Sequence, residues 1–264
     1  MPTESDRFVP RSGAPADAAG LCAGCAYAAD FLAHGQCQPG DICIRAHSGR
    51  QIDRFMRRNP QEASKFLDDL FWERRAIAAR HAPAEEVYRL RDDVDEVVRR
   101  VVVTRLPEAL LVTMLSDPDR EVRLSVATRL PAELLPRMTR DPDYLIRATV
   151  ARRLPHGQLV ALARDPEREV RKIVAARLPS FALSRLADDR EPEVRAIVAE
   201  RALPELAALM IRDEEWWVRL AAVATVPPEC LPTISADDPE AEVRNAARER
   251  MDNLTRSSAR ESES

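Results

Sequence analysis

Val122, Val126 and Leu130 stand four residues apart with the small Ala127 among them, and mostly polar residues fill the intervals. That spacing lays one apolar stripe along a helix of about three turns. Pro131 ends it, because proline lacks the amide donor and clashes with the preceding turn. Asp117 reads as an N-cap and Pro118 as the first helical residue, with acidic Asp119 and Glu121 complementing the helix N-terminus. The remainder of the unit, "PAELLPRMTR", carries Leu135 and Met138 three residues apart and is interrupted by Pro136. A second full helix with its turns does not fit in ten residues, but a turn or two of 3-10 helix does. Residues 117–140 therefore predict one α-helix and one short 3-10 segment.

The pattern recurs. Val98–Arg99, Val122–Arg123, Ile146–Arg147, Val170–Arg171, Val194–Arg195 and Val218–Arg219 are each 24 residues apart, and Val243–Arg244 follows at 25. A degenerate copy in "WERRAIAARHAP" places Arg75 in phase, for eight copies in all. "RLP" recurs in step at Arg105, Arg129, Arg153 and Arg177. Helical-pair repeats need roughly 33 to 47 residues. Ordinary leucine-rich repeats have the length, but they carry a β-strand and an asparagine or cysteine ladder that this chain lacks. An all-α solenoid of short repeats is the expected fold.

An aspartate lies six residues before each anchor arginine, at Asp69, Asp93, Asp117, Asp141, Asp165, Asp189, Asp213 and Asp238. At 100° per residue the arginine falls on the edge of the buried stripe, where a guanidinium needs an acceptor. The pairs Asp93 and Arg99, Asp117 and Arg123, Asp141 and Arg147, Asp165 and Arg171, Asp189 and Arg195, Asp213 and Arg219 thus read as a structural ladder, within a repeat or between neighbours. The alternative is an anion-binding arginine stripe. The "RLP" residues Arg105, Arg129, Arg153 and Arg177 are the better candidates for a partner surface. Trp216 joins them, since matching the period places one indole of the Trp216–Trp217 pair in the core and the other outside.

The chain changes character near residue 60. Six of its seven glycines lie at or before Gly49, and four of its five cysteines lie between Cys22 and Cys43. The expected organisation is a flexible lead-in over 1–20, a small cysteine-rich domain over 21–59, the repeats over 60–252 and a disordered tail over 253–264. The cysteines are spaced C-x2-C-x11-C-x5-C at Cys22, Cys25, Cys37 and Cys43. Two cysteines three apart bind one metal or cluster from a single turn. The spacing favours a metal over disulfides and leaves both zinc and an iron–sulfur cluster open. His34 and His47 are at hand but are not needed. Gly24, Gly35 and Gly40 permit close backbone approach, Pro39 stiffens its loop, and Arg45, Arg50, Arg54, Arg57 and Arg58 offset the anionic site.

Net charge is −4 with a pI near 5.7, which weakens a nucleic-acid reading of the arginines. No apolar run is long enough to cross a bilayer, so no membrane association is expected. The first 20 residues show no basic segment followed by an apolar one, and a cytoplasmic location is expected. No nucleophile elbow, P-loop or dinucleotide fingerprint appears, and an enzyme is not expected. His81 and His156 fall at turns and read as exposed, while Cys230 reads as a small buried filler.

A four-cysteine domain followed by units of the form "DPDxxVRxxVAxRLPxxxLxxL" resembles the leucine-rich repeat variant proteins, in the form with an N-terminal iron–sulfur domain found in nitrogen-fixing bacteria. The match covers about residues 21–250. The resemblance implies a right-handed superhelix of alternating α and 3-10 helices. It also implies a 4Fe–4S cluster held by Cys22, Cys25, Cys37 and Cys43, in preference to zinc. It supplies no activity, and the array is expected to bind another macromolecule. Two departures mark irregular places: "RALP" shifts the proline to Pro204, and the last copy, "VRNAARERMDN", lacks its "RLP". The leading expectation is a scaffold for an unknown protein partner, with a redox or iron-responsive component as the alternative.

Overall fold

The computed structural model describes Gly20 and residues 22–262; of the lead-in expected over 1–20, all but Gly20 lies outside the described residues. The chain divides into two compact units, Met1–Ser125 and Val126–Ser264. Among the described residues there is no β-strand, only an isolated antiparallel bridge between Gln38 and Ile42.

In the first unit, the helix Trp72–His81 is followed by a helical turn Ala84–Val87 and a 3-10 segment Tyr88–Asp92; the helix Glu96–Arg105 is followed by the 3-10 segment Glu108–Met114. The alternation starts earlier than the "VR" signature does. Helix Gly49–Arg58 and the 3-10 segment Pro60–Phe66 fall one period before Trp72–His81 and Ala84–Val87. A repeat unit therefore lies on each side of residue 59, where the sequence placed the domain boundary. This earliest repeat, 49–66, carries neither "VR" nor "RLP", which is why the sequence period did not reveal it.

In the second unit, the helices Tyr144–Arg153, Arg168–Arg177 and Pro192–Arg201 alternate with the 3-10 segments Ala132–Met138, His156–Leu162 and Ser180–Leu186. The α-helical stripe and the 3-10 apolar pair close on one core. Ile146, Val150 and Leu154 are fully buried beside Leu159, and Val170, Val174 and Leu178 beside Leu183. A Leu or Ile truncated to Ala in such a place costs about 2–5 kcal/mol.

The helix starts differ from expectation by two residues. Helix Arg120–Arg129 begins after Pro118. The Asp117 carboxylate accepts the N–H of Asp119 at 2.8 Å, an Asx turn that holds Pro118 outside the helix. Asp119 becomes the cap and accepts from the Val122 N–H at 3.0 Å. Asp95 and Asp143 cap their helices likewise, accepting from Val97 and Leu145.

The displaced aspartates instead receive the anchor arginines of the preceding repeat. Each guanidinium forks onto one carboxylate through Nε and Nη2. In the first unit Arg75 holds Asp93 and Arg99 holds Asp117. In the second, Arg147 holds Asp165, Arg171 holds Asp189, Arg195 holds Asp213 and Arg219 holds Asp238. The remaining Nη1 turns back to the carbonyl of its own repeat's aspartate, as from Arg123 to Asp117 at 2.9 Å. Asp141 is buried, as are Asp117 and Asp165.

The "RLP" arginines, and Arg201 of "RALP", also turn inward. Arg105 donates to the Ala82 carbonyl at 2.9 Å and Arg153 to that of Ala127 at 2.7 Å; Arg177 and Arg201 reach Ala151 and Ala175. Each thereby satisfies an orphan carbonyl at the C-terminal end of the preceding helix, a place that favours cations. Arg129, at the equivalent position, is half-buried.

Several residues depart from the sequence reading. The proline shift at Pro204 produces a true α-helix, Pro204–Met210, in place of a 3-10 segment. Residues 253–262, expected to be disordered, extend the helix Ala241–Ser262. No glycine or proline interrupts them, and Thr255, Ser257 and Ser258 return their hydroxyls to carbonyls four residues back. Trp216 and Trp217 are both partly exposed, at 37% and 38%, because Val218 takes the core place. Cys230 is only half-buried, at the end of a single 3-10 turn. His156 is exposed as expected, with its ring on the Arg177 carbonyl, but His81 is mostly covered, its ring bonded to Asp53 at 3.0 Å. No helix among the described residues is long and apolar enough to cross a membrane.

Candidate metal centre

The four N-terminal cysteines sit on two turns. The Cys25 N–H donates to the Cys22 carbonyl at 3.1 Å, and Gly24 between them has φ 69°. Only glycine takes that left-handed conformation without strain, so "CAGC" closes in a single tight turn. In "CQPGDIC", Pro39 and Gly40 (φ 80°) occupy the central places of a type II turn closed from the Asp41 N–H to the Gln38 carbonyl at 3.1 Å. Gln38 and Ile42 exchange two hydrogen bonds of 2.8 Å just outside it. Cys37 and Cys43 flank that bonded pair, so a spacing of five sets the two residues opposite each other across the turn.

The Cys37 sulfur feels the other three. Burial first, then the negative charge of Cys22, Cys25 and Cys43, pushes the Cys37 thiol above its ordinary range. Such mutual repulsion is relieved when a cationic centre takes the thiolates. The donor set is four thiols: Cys43 is buried, and Cys22, Cys25 and Cys37 are half-buried. No three of the described side chains close tightly on a single point as ligands of one ion. His34 is exposed and bonded to Asp30, and the His47 ring meets Phe71 edge-on.

The helix Gly49–Arg58 grips the loops between the thiols. Gln51 donates to the Gly40 carbonyl, Arg54 pairs with Asp41, and Arg58 donates to the Gly35 carbonyl. These three lie at i, i+3 and i+7, on one helical face. Just beyond the helix, the fully buried Asn59 bonds the carbonyls of Gln36 and Phe55 at 2.8 and 3.0 Å. Arg45 holds the Ala23 carbonyl inside the "CAGC" turn at 2.7 Å. Of the five arginines expected to offset the site, Arg45, Arg54 and Arg58 thus act on its loops, while Arg57 pairs with Asp53.

An aromatic wedge, unnoticed in the sequence, fixes the cysteine turns to the repeats. Tyr27 packs on Phe31 and Phe55 with centroids 4.7 and 5.2 Å away, and Phe66 lies at 6.3 Å. The Tyr27 hydroxyl donates to Glu62 at 2.7 Å, and Lys65 bonds the same oxygen at 2.6 Å. Burial alone would raise the Glu62 carboxyl, but those two hydrogen bonds outweigh it and hold it below its usual range. The legible signal was local density: in a chain only 5% aromatic, Tyr27, Phe31, Phe55 and Phe66 fall within 40 residues.

The chain matches two family models. Residues 18–65 match the LRV protein FeS4 cluster model, and residues 120–143, 144–167 and 168–191 match the leucine rich repeat variant model. A solved structure described as a leucine-rich repeat variant with a novel repetitive protein structural motif is 48% identical. The match covers 86% of this chain and 97% of that one, with a TM-score of 0.76. Two engineered proteins, 14% and 17% identical, match over 77% and 75% of this chain, and over 85% and 96% of their own, with TM-scores of 0.37 and 0.27. No curated protein matches. The 24-residue alternation of α and 3-10 helix and the four-cysteine domain ahead of it place this chain in the leucine-rich repeat variant family, with an iron–sulfur cluster domain at its N-terminal end.

Proposed function

We propose that the chain is a protein-binding scaffold that carries a 4Fe–4S cluster on Cys22, Cys25, Cys37 and Cys43 and presents its repeats to a protein partner. When bound, the cluster supplies a four-thiolate crosslink and a one-electron couple. The chain's own residues do the rest: the two turns present the thiols, Arg45, Arg58 and Asn59 fix the loops, and the aromatic wedge ties that frame to the first repeats. That last attachment carries the proposal, because the cysteine frame and the opening repeats share one core through Phe55, which is fully buried. We assign no catalytic role and place the protein in the cytoplasm.

Electron transfer or redox sensing is the second reading, favoured by the partial exposure of Cys22, Cys25 and Cys37. Binding of the isolated partner, measured with the cluster oxidised and reduced, separates the two. A scaffold binds equally in both states. Affinity that changes with the state, or a chain that exchanges electrons but retains no macromolecule, overturns the scaffold reading in favour of the redox one.

A further inference from the structure

Among the described residues, the anchor arginine Arg244 bonds no carboxylate. In Arg75, Arg99, Arg147, Arg171, Arg195 and Arg219 the Nη1 is tied to the repeat's own aspartate carbonyl and the Nε–Nη2 edge holds an aspartate from the next repeat. Arg244 is tied in the same way, Nη1 donating to the Asp238 carbonyl at 2.6 Å and the Pro239 carbonyl at 2.8 Å. Among the described residues nothing bonds its Nε or Nη2. The next ladder position, 18 residues on, is Ser262. It lies at the far end of the helix Ala241–Ser262, roughly 27 Å away along the helix axis at 1.5 Å per residue.

The other end of the array is closed. One period before Arg75 the residue is Gln51, whose amide is on the Gly40 carbonyl. The first ladder aspartate, Asp69, is taken inside its own repeat by Arg74 Nε at 2.9 Å and the Phe71 N–H at 2.8 Å. Among the described residues, position 51 thus lacks the arginine that would face Asp69, whereas Arg244 is present where the helix Ala241–Ser262 runs on through the next ladder position. A guanidinium fork already held in its bonding pose loses little freedom when a carboxylate arrives, and its planar geometry selects a bidentate partner.

We propose that Arg244 is an open carboxylate-binding site at the last repeat, filled by a protein partner's aspartate in the turn that precedes a helix, in the pose Asp238 takes on Arg219. This rests on the scaffold reading and deepens it by naming where and through what chemistry the partner is held.

The test uses the full chain and a synthetic amidated peptide with the sequence of residues 165–178, whose first residue is the ladder aspartate. The Arg244 Nε–H resonance should shift saturably with this peptide. With asparagine at the first peptide position binding should weaken about tenfold, as expected when a charge-assisted bidentate pair is lost. Followed instead by the backbone amide resonances of residues 240–244, peptide binding should be abolished in Arg244→Gln and mostly lost in Arg244→Lys, which keeps the charge but not the fork. Equal shifts with the Asp and Asn peptides, equal binding by the Lys variant, or no saturable shift would overturn the site. Partner binding that survives Arg244→Gln would remove this site as its seat and leave the scaffold reading standing.

Discussion

Arg147 reaches the aspartate 18 residues ahead of it, Asp165, through two hydrogen bonds of 2.7 and 2.9 Å, and both side chains are at least nine-tenths buried. Burying two charges is costly, and the arrangement holds because every polar group of the pair is engaged: Nη1 on the Asp141 carbonyl and the Asp165 carboxylate on the Glu167 N–H. Removing one partner strands the other. Asp165→Ala should cost about 3–5 kcal/mol of unfolding free energy, read from urea titration. The double change Arg147→Met with Asp165→Leu should recover much of that loss, and a double variant no better than Asp165→Ala would contradict the account.

Acid should erode specific pairs in a defined window. The hydrogen bond from Arg100 to Asp119, 2.8 Å long, leads the effects that lower the Asp119 carboxyl from 3.8 to about 2. A carboxylate whose folded pKa is depressed adds stability above its unfolded pKa and loses it as pH falls through the folded value. The difference in melting temperature between the parent and Asp119→Asn should therefore be constant above about pH 5 and shrink between about pH 4 and pH 2. At Asp93, Asp213 and Asp238 burial works against ionisation, but the arginine fork outweighs it, so the same sign applies.

The grips on the cysteine loops predict how fast iron leaves. Arg45→Ala and Arg58→Ala should each speed cluster loss to a chelator, followed as the decay of visible absorbance. Gly40→Ala places a side chain at φ 80° and should add strain of about 1–2 kcal/mol to the turn between Cys37 and Cys43. Arg57→Ala, which only releases Asp53, is the control and should leave the decay unchanged.

The aromatic wedge makes the cluster domain and the first repeats one folding unit. Phe55→Ala should cost about 3–5 kcal/mol and should uncouple loss of cluster absorbance from loss of helical ellipticity on heating. Tyr27→Phe keeps the ring but removes one donor from the buried Glu62, a loss of about 1–2 kcal/mol. Coincident transitions in the Phe55 variant would argue against the wedge as the attachment.

What the sequence made legible was whatever repeats. The Val122, Val126 and Leu130 stripe, the 3-10 pair Leu135 and Met138, and the in-phase Asp and Arg are periodic, so one unit could be read and multiplied. The helix start was misplaced because an aspartate followed by proline satisfies either an N-cap or an Asx turn, and only the second aspartate, Asp119, decides between them. The helix Gly49–Arg58 stayed hidden because its polar face is spent on the loops of the cysteine domain and not on the ladder. The tail 253–262 looked disordered for want of apolar periodicity, whereas a helix already nucleated at Ala241 needs only residues that do not break it. At the candidate metal centre the spacing singled out the four cysteines, but the carbonyls that Arg45, Arg58 and Asn59 hold carry no sequence signal.

The central claim is the cluster, and anaerobic isolation with iron, sulfide and zinc quantitation tests it most directly, with visible spectra taken before and after dithionite. The account predicts about four irons and four sulfides per chain, as a 4Fe–4S centre on four thiolates requires, and loss of both in Cys37→Ser. One zinc and no iron in the parent chain would contradict it.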